Sequence, residues 1–310
     1  MNHEEQLAAL RSGAAHVERS GRGHVLVTGP DARSFLQALV SADLDPLAAG
    51  SGTASLLLTP QGKLDVAFRL LVVDDDIWLD CDPGFGPQLT ASLDRFRIRV
   101  KADVVDRTDD FTMLSVVGNP SVVSQFGLDL AAVNDHTDGG GGARVVRTEH
   151  GFDVIGPLVA IAEWSARVSE QGVPAVDLVV YDAWRIEEGI PVQPSDIDAK
   201  TIPQEAELEV DAVSFTKGCF LGQELVCRID TRGHVNRFLR KFRNIEGDWP
   251  EPGAEVVVDG KVVGALTSVA AGDVPTGALG YVRREVEPPA EVELRLASGG
   301  YARAEVEARR

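Results

Sequence analysis

The chain has 310 residues, of which 44% are hydrophobic and 25% charged, and it carries a net charge of −18 at neutral pH. That is an ordinary soluble composition, long enough for two or three subdomains with cores of their own. The charge repels nucleic acid and anionic membrane in bulk, so neither is expected as a direct partner. No apolar run approaches the roughly 18 residues of a membrane-spanning helix. The opening Met1-Asn2-His3-Glu4-Glu5 is acidic and polar, unlike a signal peptide. Three cysteines, Cys81, Cys219 and Cys227, argue against a disulfide framework and for a reducing, cytoplasmic setting.

In chain order, a short helix is expected over Leu7–Ser12, then a strand over His24–Thr28. Gly29-Pro30-Asp31 caps a helix running to about Leu39. Strands over Ala54–Leu58 and Leu64–Val73 are joined by Pro60-Gln61-Gly62, and Asp74–Asp76 turns the chain into Ile77-Trp78-Leu79. Pro83–Ile98 reads as a helix with Leu89, Leu93 and Phe96 on one face. Phe111–Val117 is an apolar strand. Asp138–Gly142 reads as a flexible loop and not a phosphate loop, since no Gly-Lys-Ser/Thr follows. A hairpin over Arg144–Thr148 and Phe152–Ile155 and helices over Pro157–Glu170 and Leu178–Glu188 complete an α+β pattern. After Gly247–Gly253 the texture becomes all-β. Hairpins turn at Asp259-Gly260, Pro288-Pro289 and Ser298–Gly300, as in a small barrel.

One stretch departs from the acidic average. From Lys217 to Arg243 there are Lys217, Arg228, Arg232, Arg237, Arg240, Lys241 and Arg243 against only Glu224 and Asp230. Composition alone reads this as a solvated basic face. Its opening octapeptide, Lys217-Gly218-Cys219-Phe220-Leu221-Gly222-Gln223-Glu224, favours a site for an anionic small molecule. Two glycines free the backbone around Cys219, and a short helix is expected to follow at Leu225–Ile229. A helix start and Lys217 would both favour a Cys219 thiolate. Cys227 and Cys81 read as packing residues. The six histidines are scattered, so no metal site is expected.

The octapeptide with a downstream Arg resembles the signature of the YgfZ-type folate-binding proteins, relatives of the glycine-cleavage T-protein (aminomethyltransferase). Further matching runs are Gly29–Leu36, Leu58–Lys63, Arg185–Pro191 and Ile202–Ala206. The resemblance implies two interleaved α+β subdomains over 1–244 and a C-terminal small β-barrel over 245–310, around a channel that binds tetrahydrofolate or a one-carbon-substituted folate. It implies a role in iron–sulfur cluster assembly or repair, including in tRNA-modifying enzymes, with iron–sulfur client or assembly proteins as partners. By the same match Glu187 holds the pterin ring, where a carboxylate can accept two N–H bonds. Lys217, Arg228 and Arg237 are candidates for the glutamyl carboxylates of folate. Cys219 is the redox-active or ligand cysteine near the folate.

The aminomethyltransferases also carry an aspartate pair that falls here at about Val66-Ala67. Asp65 is adjacent, but a one-residue slip in a strand turns a side chain to the other face. A folate-dependent transferase or demethylase using Asp65, and a non-catalytic folate sensor or scaffold, are therefore the alternatives to an iron–sulfur role.

Overall fold

The computed structural model describes residues 1–119 and 121–310. Helix α1 (His3–Ser12) begins in a capping box: the Asn2 side chain accepts from the Glu5 amide, and the Glu5 carboxylate accepts from the Asn2 amide. Next come strands β1 (Ala14–Glu18) and β2 (Gly23–Thr28), helix α2 (Ala32–Leu39), and strands β3 (Gly52–Leu58), β4 (Leu64–Val73) and β5 (Asp76–Cys81). Helix α3 (Gly86–Asp94) and strand β6 (Asp103–Asp106) follow. Five of these strands form one antiparallel sheet in the order β3-β4-β5-β2-β6. The period of two along β4 decides its faces. Val66, Phe68, Leu70 and Val72 pack with Phe35 and Leu36 of α2 and Leu89 and Leu93 of α3. Asp65, Ala67 and Arg69 occupy the other face.

The second sheet takes up β1 again. Strands β7 (Phe111–Gly118), β8 (His136–Gly140), β9 (Ala143–Thr148) and β10 (Gly151–Pro157) pair in the order β1-β7-β10-β9-β8, with helix α4 (Val122–Gln125) after β7. Helix α5 (Leu158–Glu170) covers its outer face with Ile161, Trp164 and Val168. Because β1 precedes the whole first sheet, the two α+β halves are interleaved in sequence.

Helix α6 (Leu178–Glu188), a 3-10 turn at Pro203–Ala206, and helices α7 (Glu209–Ala212) and α8 (Gln223–Arg232) lead to the barrel. Strands β11 (Arg237–Gly247), β12 (Glu255–Val258), β13 (Lys261–Val269), β14 (Ala278–Arg283), β15 (Ala290–Arg295) and β16 (Tyr301–Glu307) close in the order β11-β14-β13-β12-β15-β16. Closure leaves no edge strand and buries Phe242, Val256, Leu266, Leu294 and Val306 inside. A joint core holds the modules together, drawing Leu10 from α1, Leu58 from β3, Val117 from β7, Trp184 from α6, and Leu239 and Leu279 from the barrel.

Three expectations are corrected. The helix after Pro83 stops at Asp94, and Phe96 is exposed instead of lying on its buried face. Arg97 bonds Asp94, Asp103 and the Ala102 carbonyl, which turns the chain out of the helix. Asp138-Gly139-Gly140 is part of edge strand β8, with Gly139 accepting a hydrogen bond from the Trp164 indole on its carbonyl. Finally, Arg237 already lies in a barrel strand, so the barrel begins ahead of the 244/245 boundary.

A buried chain of charges joins the two halves. Arg69 donates to Asp153 of β10 at 2.8 Å and to Asp80 of β5 at 3.0 Å, and Arg22 donates to Asp80 and to Asp82, each at 2.8 Å. Ser115 completes Asp153 at 2.6 Å. Burial works to raise the Asp80 carboxyl, but Arg22 and Arg69 outweigh it and hold it well below the usual carboxylate range. Removing Arg69 leaves two carboxylates short of a partner, so Arg69→Met should cost about 3 kcal/mol or more in urea unfolding. Acid should also act in two stages. Burial lowers His24 and His136 to about 4 each, so the unfolded chain binds more protons between about 6.5 and that value. Stability should therefore decline as pH falls from about 6.5, and decline further below about 4, where Asp80 takes up a proton in the unfolded chain but stays charged in the folded one. Urea midpoints measured across pH check both stages.

Candidate functional site

The charged chain surfaces in a cleft. Arg19, Ser20, Arg22, Asp82 and Pro83 form one wall, α6 the second, and Val192-Gln193-Pro194 the third, enclosing about 500 Å³. That is the size of a small-molecule site. Helical geometry selects the α6 residues: Leu178, Tyr181, Asp182 and Arg185 follow the i, i+3, i+4, i+7 rule and share one face.

Most charged groups in the cleft are fixed from behind. Arg185 donates to Asp182 at 2.7 Å, to Asp196 at 2.5 Å and to the Ser268 hydroxyl of β13 at 2.9 Å. Thr267 of the same barrel strand donates to the other Asp196 oxygen at 2.5 Å. Asp82 accepts from the Gln193 amide at 2.8 Å. Arg22 and Arg185 are thus committed to carboxylates. Arg19 is not: its guanidinium lies over the Tyr181 ring, 4.9 Å from the centroid, and it is in no ion pair among the described residues. The Asp182 side chain is half exposed, with Oδ1 given to Arg185. The cleft therefore offers one cation that is in no ion pair and is backed by the buried Tyr181 ring, and one accessible carboxylate oxygen.

The cysteine loop is built differently. Lys217 reaches back to the C-terminal end of α2, and Nζ donates to the carbonyls of Gln37 (2.7 Å), Val40 (2.9 Å) and Ala42 (2.6 Å). There it caps the negative end of the helix. Burial pulls this ammonium down to about 8, against the opposing pull of Asp43 and Asp45. Phe220 is buried in the joint core. Gly222 adopts φ +78, and a Cβ there would strike the Thr59 carbonyl, so only glycine lets this loop seat on the Pro60-Gln61-Gly62 turn. Gln223 accepts from the Phe220 amide at 3.2 Å. Between these anchors Cys219 is exposed. The octapeptide is a mounting that holds one thiol in solvent, outside the cleft lining.

The other sequence candidates are dispersed. Glu187 lies two residues past Arg185, about 200° around α6, so it faces away from the cleft. Arg11 binds its carboxylate in bidentate fashion at 2.7 and 2.9 Å, and Arg243 stands 3.5 Å away. Arg237 donates to Glu205 at 3.0 Å and stacks 4.2 Å from the Tyr281 centroid, lining a separate barrel groove with Arg283. Arg228 is exposed on α8. The Asp65 carboxylate accepts from Gln88 at 2.7 Å, outside the cleft lining, and only its main-chain carbonyl accepts from the cleft residue Gln193, at 2.8 Å. Val66, at the family's aspartate position, faces the core. Arg19, Tyr181 and Asp182 went unnoticed in the sequence. The spacing of Tyr181 and Asp182 ahead of Arg185 was the available signal.

The chain belongs to the family defined by the GCVT N-terminal domain, whose model matches residues 2–217. It is 29% identical to an aminomethyltransferase of Rubrobacter xylanophilus, over 93% of this chain and 81% of that protein. It is 27% identical to a chloroplastic protein of Arabidopsis thaliana provisionally named a transferase, over 92% of this chain and 68% of that protein. The crystal structure of the glycine cleavage system aminomethyltransferase T from Bartonella henselae superposes with a TM-score of 0.83 at 20% identity, covering 98% of this chain and 88% of that one. The fold is the aminomethyltransferase fold, with its C-terminal barrel. No described helix is long and apolar enough to cross a membrane.

The geometry orders the three thiols. Cys219 is exposed, Cys227 is partly covered with its thiol raised by burial, and Cys81 is buried with its thiol raised further. Iodoacetamide should modify Cys219 first, then Cys227, and Cys81 only on unfolding. Peptide mass spectrometry over a time course reads this order.

Proposed function

We propose that this protein binds tetrahydrofolate, or a one-carbon-substituted folate, in the cleft between α6 and the Arg19–Arg22 segment. The carrying observation is the wall of complementary groups. Tyr181, buried beneath Arg19, holds that guanidinium in the cleft wall. Asp182 supplies a carboxylate for the aminopyrimidine edge, the role the family resemblance would give Glu187. Arg19 supplies a cation for a folate carboxylate. Glu187, Lys217 and Arg237 are occupied with protein partners, and that favours the cleft residues over them.

The role that follows is support of iron–sulfur cluster assembly or repair, including in tRNA-modifying enzymes, with client or assembly proteins as partners. The exposed, rigidly mounted Cys219 supports this reading, because a thiolate is both a metal ligand and a redox group. A folate-dependent one-carbon transferase is the second reading. It rests on the family membership, because the Asp65 carboxylate is held by Gln88 and only its main-chain carbonyl meets the cleft residue Gln193.

Calorimetric titration with tetrahydrofolate tests the binding. Micromolar affinity is expected, with Arg19→Met and Asp182→Asn each weakening it about tenfold and Glu187→Gln leaving it nearly unchanged. No binding by the wild type would overturn the reading. Cys219→Ser should bind folate normally yet fail to restore iron–sulfur enzyme activity in deficient cells. Turnover of a methylated amine that Asp65→Asn abolishes would favour the transferase.

A further inference from the structure

Between α3 and β6 the chain reads Arg95-Phe96-Arg97-Ile98-Arg99-Val100-Lys101, and four of these seven residues are cations in a chain of net charge −18. Asp94 through Arg99 are all exposed. Ile98 is 75% exposed and Phe96 39%. Leaving two large apolar side chains in water has a cost, and neighbouring apolar groups on a surface mark interaction sites more often than isolated ones do.

The loop is nevertheless firmly held. Arg97 ties its two ends together, donating to Asp94 at 2.9 Å and to the Ala102 carbonyl and Asp103 at 3.1 Å each. Asp31 grips the far end, accepting from the Lys101 amide at 2.8 Å while its own amide donates to the Lys101 carbonyl at 3.2 Å. Arg99 sits at φ 60, a left-handed conformation that costs a non-glycine residue free energy. Arg97 is spent on these internal bonds. Arg95, Arg99 and Lys101 are in no ion pair among the described residues. A held loop thus presents three uncommitted cations beside two apolar side chains.

We infer that this loop is a docking surface for a short acidic segment of a partner protein, one that alternates carboxylates with apolar side chains. Phe96 and Ile98 would cover the apolar positions, and Arg95, Arg99 and Lys101 would meet the carboxylates. An anionic membrane offers the same charges but as an extended plane, and the rest of this strongly acidic molecule would be repelled by it. A short segment presents only the charges that the loop can match. The surface lies beyond the C-terminal end of α3, while Pro83, before the helix, lines the cleft. A docked segment would therefore leave the cleft open, about one helix length or roughly 13 Å away. This inference stands apart from the folate reading.

The test is fluorescence polarisation of the full chain with a labelled peptide of alternating Glu and Leu. Controls are a Lys/Leu peptide and vesicles of phosphatidylserine. The Glu/Leu peptide should bind, and more weakly as salt is raised. The variant Arg95→Ser/Ile98→Ser/Lys101→Ser should weaken binding about tenfold or more while melting like the wild type. Ile98→Ser alone should lose part of the affinity, which simple charge attraction would not. Equal binding by wild type and triple variant, no binding by either, or binding to the vesicles in place of the peptide would overturn the inference.

Discussion

The structure depends on one buried guanidinium. Arg69 stands on β4 and holds Asp80 of its own sheet with one nitrogen and Asp153 of the other sheet with another. Two half-domains that interleave in sequence must be held in one relative position. An apolar interface would tolerate sliding. A paired, desolvated charge does not, because any displacement leaves an unpaired ion in a medium of low polarity. The pairing continues through Arg22 to Asp82, so the register of the two sheets sets the shape of the cleft wall. Arg185 works in the same way on the other side. It binds Asp182 within α6, Asp196 in the following loop and Ser268 in the barrel, so three modules meet at one helix face.

This arrangement explains why the cleft has few uncommitted groups. Most of its charge is structural. Arg22, Arg185 and Asp82 line it but are neutralised by partners, and what remains for a ligand is Arg19 over Tyr181 and one side of Asp182. Such a site selects by shape and by a few polar contacts, and it keeps its geometry because the groups behind it are already paired. The cysteine loop follows a separate logic. Lys217, Phe220 and Gly222 each do a different anchoring task, and together they leave Cys219 in solvent, away from the cleft. The cleft and the exposed thiol therefore lie on different surfaces of the molecule.

Much of the fold was legible in the chain. The alternation along β4, the turn at Asp259-Gly260 and the helix over Leu178–Glu188 follow local rules, and they hold. The family motifs supplied the architecture. Long-range pairing was not legible. Arg69 and Asp153 are 84 positions apart, and nothing local in either strand marks them as partners. Lys217 reads as a ligand-binding cation until the carbonyls of Gln37 in α2 and Ala42 just beyond it, 180 and 175 positions earlier, are seen around it. Glu187 looked accessible because its motif was recognised, whereas its rotation around α6 relative to Arg185 turns it to Arg11. The glycines of β8 read as a loop because glycine lowers strand propensity, yet pairing with β9 and contact with Trp164 prevailed.

Hydrogen–deuterium exchange with and without tetrahydrofolate examines the central claim, that the junction between α6 and the Arg19–Arg22 segment is where folate sits. The account predicts added protection in peptides covering 19–22, 178–185 and 192–194, with the Cys219 loop and the Arg237 groove unchanged. Protection confined to the Arg237–Arg283 groove, or to the surroundings of Glu187 and Arg243, would contradict it.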